Sequence, residues 1–219
     1  GKNHSCRLSE RGKINLMTTF IKGWNEMSTQ AVTGVLVDSW ATKSRVRNAV
    51  LVLGLTGFTA VSAQVAIPLP FTPVPLTLQT FAVLAGAAAL GAERAVLAQV
   101  LYIALAVAGA PVLAGGASGR EVVVGATGGY LIGFVLASYV VGRISSKGAS
   151  TKSATTALAF VLGSLVIYTL GAPWLAYTTG NTITWAVING VVPFLVGDLI
   201  KAVAAGAVLP MAWKLTKSK

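Results

Sequence analysis

Asp198 and Lys201 are the residues of this 219-residue chain whose type and setting most need a chemical explanation. Both lie inside VVPFLVGDLIKAVAAGAVLP, residues 191–210, a run that is otherwise apolar or small. At the centre of a membrane helix each such charge costs about 2.5–3.5 kcal/mol on insertion scales. The i, i+3 spacing puts the two on one helix face, where carboxylate and ammonium partly neutralise each other. One role open to them is structural, an inward-facing ion pair that locks this helix to its neighbours. The other is ligand binding, which is favoured because buried pairs are poor stabilisers compared with apolar packing. A carboxylate beside an ammonium suits a polar ligand that has both donors and acceptors. Pro193 and Gly197 lie just upstream. A proline removes one helical hydrogen bond and can bend or open the helix near a site.

Three other segments hold candidate residues. The stretch IPLPFTPVPLTLQT has four prolines between Pro68 and Pro75. Proline fixes φ and restricts the preceding residue, so the segment is stiff and extended, fit to be either a lid or a plain connector. Thr77, Gln79 and Thr80 follow it, and Gln79 brings both a donor and an acceptor. A glycine-rich stretch, LAGGASGREVVVGATGG, precedes Tyr130; it allows close approach of a ligand or of another helix. The Lys-Ser/Thr frame of a phosphate-binding loop is absent from it. Thr56, Gly57 and Ala60 form a small-residue face suited to close helix contact, inside the bundle or with a partner. His4 and the single cysteine, Cys6, are two residues apart; two ligands do not make a zinc site, and one cysteine excludes an internal disulfide. No Ser/His/Asp set or paired carboxylates stand in the apolar runs. Neither an enzyme activity nor a cofactor or metal is expected.

The elements that position these residues follow from composition. Apolar residues make up 54% of the chain and charged ones 11%, with a mean hydropathy of +0.74. Soluble domains carry about 25% charged residues, so most of this surface must face lipid. The net charge of +11 does not indicate nucleic acid: five of the basic residues lie in the first 22 positions, most of the others flank apolar runs, and no basic face with interleaved aromatics is visible. The chain is therefore read as an all-α membrane protein of six transmembrane helices. They run over about Val46–Ile67, Thr77–Ala92, Arg94–Ala110, Thr127–Ile144, Ala154–Tyr177 and Thr184–Trp213. No sustained alternation supports a β-barrel. Lys43, Arg45, Arg47, Arg94, Arg143, Lys147, Lys152, Lys214, Lys217 and Lys219 fall on one side of this topology, and Arg120, beside Glu121, on the other. Ten against one places both termini in the cytoplasm of a multi-pass cell-membrane protein. Trp174, Tyr177 and Trp185 then mark the outer interface and Trp213 the inner. No cleavable signal peptide is expected, since the first apolar run comes late and is long enough to span. Residues 1–45 are read as a cytoplasmic tail, 46–215 as the transmembrane domain and 216–219 as a second short tail. Within the first tail, Ile14, Met17, Phe20, Ile21 and Trp24 have helical spacing, which suits an interfacial helix or a flexible segment.

The runs AQVAIPLPFTPVPLTLQTFAVLAGAAALG, GAPVLAGG, GATGGYLIGF and PFLVGDLIK, in that order between Gly54 and Lys214, resemble the BioY family, the biotin-specific S components of energy-coupling factor (ECF) transporters. The resemblance implies an S-component bundle that binds biotin from outside, with ATP hydrolysed on two ATPase subunits beside a T component. It implies that Phe71, Thr72, Pro73, Val74 and Pro75 cap the pocket. It also implies that Thr56, Gly57 and Ala60 face the T component, and that Asp198 and Lys201 meet the ureido ring. Gln79, Tyr130, Gly116, Ser118, Arg120 and Trp174 complete the candidate binding set, with Lys201, Arg120 or backbone amides open as partners of the biotin carboxylate. Here the family's usual GGxGG is replaced by Gly115, Gly116, Ala117, Ser118 and Gly119, and Arg120 and Glu121 stand where apolar residues are typical. The alternatives are an S component for another vitamin, a stand-alone secondary transporter, which usually shows inverted repeats not visible here, and a small membrane enzyme.

Overall fold

A computed structural model describes residues 45–147 and 152–217, the last five as backbone only. The His4–Cys6 pair, the stripe from Ile14 to Trp24, the central residues of the 145–153 loop and the side chain of Trp213 lie outside the described residues.

The chain forms helix α1 (Arg45–Gln64), a two-residue ladder of β1 (Ala66–Ile67) and β2 (Leu76–Thr77), α2 (Gln79–Leu90) and α3 (Ala92–Val107). A 3₁₀ turn (Ala114–Gly116), α4 (Arg120–Val124), α5 (Gly128–Ser146), α6 (Ser153–Thr179), α7 (Ile183–Gly190) and α8 (Val192–Lys217) complete it. Helices α1, α5, α6 and α8 (to Ala212) are long and apolar enough to cross a membrane. The second and third expected spans are shorter, 12 residues in α2 and 16 in α3. Gly91, at φ +84°, ends α2 and starts α3, so these two helices are joined through a single residue.

Small residues bring the helices together. A Cβ at Gly142 of α5 would overlap the Ala92 backbone, and one at Gly133 would come within 2.9 Å of Ile167 Cα on α6. Such contacts are how helices gain packing where lipid removes the hydrophobic drive between them. The interior centres on α5, whose buried Tyr130, Phe134, Ala137 and Val141 join residues of α2, α3 and α6 in one core. Outward positions on α8 are apolar and open: Leu199 is 62% exposed and Ile200 65%. Asp198 at 9% lies on the opposite, inward side.

Two local features differ from the expectations. The proline-rich loop is closed at its base by the ladder, with Ala66 opposite Thr77 and Ile67 opposite Leu76. The expected sixth helix is two helices separated at Val191. Pro193 does not kink a continuous helix; it is the second residue of α8, in a first turn whose N–H groups have no helical acceptor in any case. Prolines lie inside helices elsewhere, at Pro173 in α6 and Pro210 in α8.

Candidate functional site

A cavity of about 270 Å³ lies at the end of the bundle that carries the proline-rich loop and α4. That is near the lower end of the size range of small-molecule sites. Pro73, Val74 and Pro75 form one wall, and Leu113, Ala114, Ala117 and Val122 another. Leu131 and Phe134 of α5, Ile167 of α6 and Phe194 of α8 make its apolar interior. The polar residues on it are Thr77, Gln79, Thr80, Thr127, Tyr130, Tyr168, Asp198 and Lys201. A mostly apolar concavity with a few convergent polar groups is the usual form of a small-ligand site.

The polar end is built from α2, α6 and α8. Lys201 Nζ lies 3.0 Å from Asp198 Oδ1. It also donates to Thr80 Oγ1 at 2.6 Å and to the Thr77 carbonyl at 2.8 Å. The Thr80 hydroxyl in turn donates to Asp198 Oδ1 at 3.2 Å, and Tyr168 donates to Oδ2 at 2.5 Å. Both carboxylate oxygens thus accept hydrogen bonds and all three ammonium protons have acceptors. Buried charges satisfied in this way are tolerated where an unpaired charge would not be. Lys201 also ties α8 to β2, at the root of the proline-rich loop.

Two further contacts shape the wall. Gln79 Nε2 donates to Tyr102 Oη at 2.7 Å, and Tyr102 donates to the Val112 carbonyl at 2.9 Å. Tyr130 donates to the Gly190 carbonyl at 2.8 Å, at the break between α7 and α8. A Cβ at Gly190 would overlap the Tyr130 hydroxyl and one at Gly171 its ring, so both glycines make room for this tyrosine.

Of the candidate set, Asp198, Lys201, Gln79 and Tyr130 border the cavity, as do Pro73, Val74 and Pro75 of the loop. Gly116, Ser118, Arg120 and Trp174 do not. Gly116 closes the 3₁₀ turn at φ +73°, and Arg120 is exposed at the start of α4. The Trp174 indole packs on Gly128 and Gly129 and donates to the Gly125 carbonyl at 2.8 Å, which keeps it behind the wall. Phe71 points outward at 50% exposure, and Thr72 is buried beside the cavity without lining it. Thr56 is buried and donates to the Ala98 carbonyl of α3 at 3.0 Å, so it serves an internal contact. Gly57 has open space around it, and Ala60 is half-buried. Tyr168 was not legible as a site residue. Its one signal is a phenol in the middle of an apolar run, whose hydroxyl must find a partner when buried.

The model of the BioY family matches residues 29–218. The chain belongs to the BioY family. It is 40% identical over 153 residues to "Biotin transporter BioY" of Thermotoga maritima, covering 70% of this chain and 88% of that protein. It is 37% identical over 155 residues to "Probable biotin transporter BioY" of Pyrococcus horikoshii, covering 71% and 89%. Its fold is similar to a crystal structure of the S-component for biotin from an ECF-type ABC transporter. The TM-score is 0.70 and the identity 24%, over 81% of this chain and 95% of that one. With BioY membership and several helices long enough to span, the chain is a multi-pass membrane protein of a transporter family.

Proposed function

We propose that the cavity binds biotin and that the chain is the substrate-binding S component of an ECF-type vitamin transporter. The observation that carries this reading is the Asp198–Lys201 cluster closing one end of an otherwise apolar cavity. Biotin has the complementary form: a cyclic urea for the polar end, and a thioether ring and alkyl chain for the apolar walls. Relatives named as biotin transporters support the choice of ligand. In this reading Asp198, Lys201, Gln79 and Tyr130 are ligand contacts, and Pro73, Val74 and Pro75 are the inner side of a lid.

The ten-to-one asymmetry of basic residues supports six membrane segments with both termini cytoplasmic. The cavity, at the end of Arg120 and Glu121, then opens to the outside. α2 and α3 would be the two short segments, their ends completed by the loops around the cavity. Transport would be driven by ATP hydrolysis on two ATPase subunits, transmitted by a T component. The side of α1 that is open at Gly57 is the part of the small-residue face left for that partner.

Equilibrium binding of labelled biotin to the purified chain tests the central claim. Asp198→Asn should weaken binding by about tenfold or more, since a hydrogen bond to a charged group is worth about 1.5–3 kcal/mol. A folded wild-type protein that ignores biotin but retains another vitamin would overturn the assignment of the ligand.

A further inference from the structure

Gln79 borders the cavity, but its amide is oriented by a residue that does not. Tyr102 is fully buried on α3, one hydrogen bond behind Gln79. A phenol has a single proton, and that of Tyr102 goes to the Val112 carbonyl. Towards Gln79 the tyrosine oxygen can then only accept, so it selects the NH₂ end of the amide. Gln79 Oε1 is thereby turned away from Tyr102. It accepts a hydrogen bond from no described residue and yet is not sealed inside the protein, which leaves the cavity as the space it faces. Nearby, the three protons of Lys201 are taken by Thr77, Thr80 and Asp198. The hydrogen-bonding capacity left at this end includes two sets of acceptors, Gln79 Oε1 and the remaining lone pairs of Asp198, beside the second Gln79 N–H and the Thr77 hydroxyl proton.

We propose that Tyr102 is a positioning residue which, by holding Gln79 with its carbonyl oxygen towards the cavity, sets a preference for ligands that present N–H donors. Without the phenol hydroxyl the amide is free to flip and offer NH₂ instead, which repels a donor and costs the ligand one hydrogen bond. The inference rests on biotin as the ligand, whose cyclic urea supplies two such N–H groups.

The test is a double-mutant cycle on the full chain in lipid nanodiscs, with Tyr102→Phe, Gln79→Met and the pair. Two ligands are compared, biotin and an analogue methylated on both ureido nitrogens. Tyr102→Phe should weaken biotin binding by about tenfold, narrow the preference for biotin over the methylated analogue by a similar factor, and have no further effect in the Gln79→Met background. Thermal unfolding of each variant refers affinity to the folded fraction. Equal losses for both ligands, or a Tyr102→Phe effect that adds in full to Gln79→Met, would show a merely structural tyrosine and overturn the proposal. If the wild type does not bind biotin, the biotin reading falls and this inference with it. Wild-type binding with an additive cycle sinks this inference alone.

Discussion

Two of the sets of buried polar side chains among the described residues are built differently. Between α1 and α3, Thr56 donates to the Ala98 carbonyl, Thr59 to the Leu55 carbonyl at 2.9 Å, and Gln99 Nε2 to Thr59 Oγ1 at 3.2 Å. All three residues are buried, all are neutral, and none borders the cavity. Among α2, α6 and α8 the set is Thr80, Tyr168, Asp198 and Lys201; it includes two formal charges and lies on the cavity wall. Neutral polar pairs give helix contacts in lipid at modest cost. Charges do not come cheaply there and usually mark ligand or ion pathways. Burial of a polar group is therefore a weak sign of a site, whereas a charge beside a cavity is a strong one.

Asp198→Ala puts the most weight on that contrast. Removing one partner of a buried pair leaves the other uncompensated, a loss of about 3–5 kcal/mol. Lys201 would keep two of its three acceptors, those of Thr77 and Thr80. Biotin affinity should fall by about a hundredfold or more, by the tenfold-per-1.4-kcal/mol rule, together with a drop in thermal stability. Gln99→Ala, an equally buried truncation in the neutral seam, should lower the unfolding temperature and leave affinity of the folded fraction within about twofold, since it lies away from the cavity. Isothermal or radioligand titration of both variants decides the matter. An Asp198→Ala protein that binds like the wild type would erase the distinction between the two sets.

Tyr168→Phe is the next step down. It deletes one hydroxyl and leaves Asp198 paired with Lys201 and Thr80. A hydrogen bond to a charged group contributes about 1.5–3 kcal/mol, but the phenyl ring keeps the cavity wall in place. The expected loss of biotin affinity is about tenfold, measured by the same titration. Unchanged affinity with lowered stability would make Tyr168 part of the scaffold and move it to the company of the neutral seam.

Which of these residues the sequence revealed follows from the same physics. Asp198 and Lys201 stood out as candidates because a charge in an apolar run has no inexpensive explanation, and the proline loop because proline density has few meanings, though only Pro73, Val74 and Pro75 of its five candidate residues border the cavity. Gln79 was legible from its place beyond that loop. Tyr168 was not, since a tyrosine in a membrane helix is equally at home in core and interface, and its partner lies 30 residues away in another helix. Trp174 was misjudged for a related reason. An indole near a helix end suits a ligand wall, an interface or a packed interior, and only the missing Cβ atoms of Gly128 and Gly129 select the last. The long apolar run from Thr184 to Trp213 concealed the break at Val191, because Pro193 signals a kink as readily as a first turn. The ladder at the base of the proline loop was invisible, as a two-residue strand has no period to detect.

Thr56→Val is the smallest perturbation and the cleanest control. Valine nearly preserves the shape of threonine and removes only the hydroxyl, which donates to the Val52 carbonyl on its own helix and to Ala98 across the α1–α3 contact. Both carbonyls lie inside helices and keep their main-chain donors, so neither is orphaned. Interhelical hydrogen bonds in membranes contribute about 0.6 kcal/mol on average, and the apolar gain of a methyl group offsets part of that. Thermal stability should therefore shift slightly, in either direction, and biotin affinity should not change. If affinity falls while stability holds, the α1–α3 seam is coupled to the cavity, and Thr56 would act on binding from a helix that the cavity does not touch.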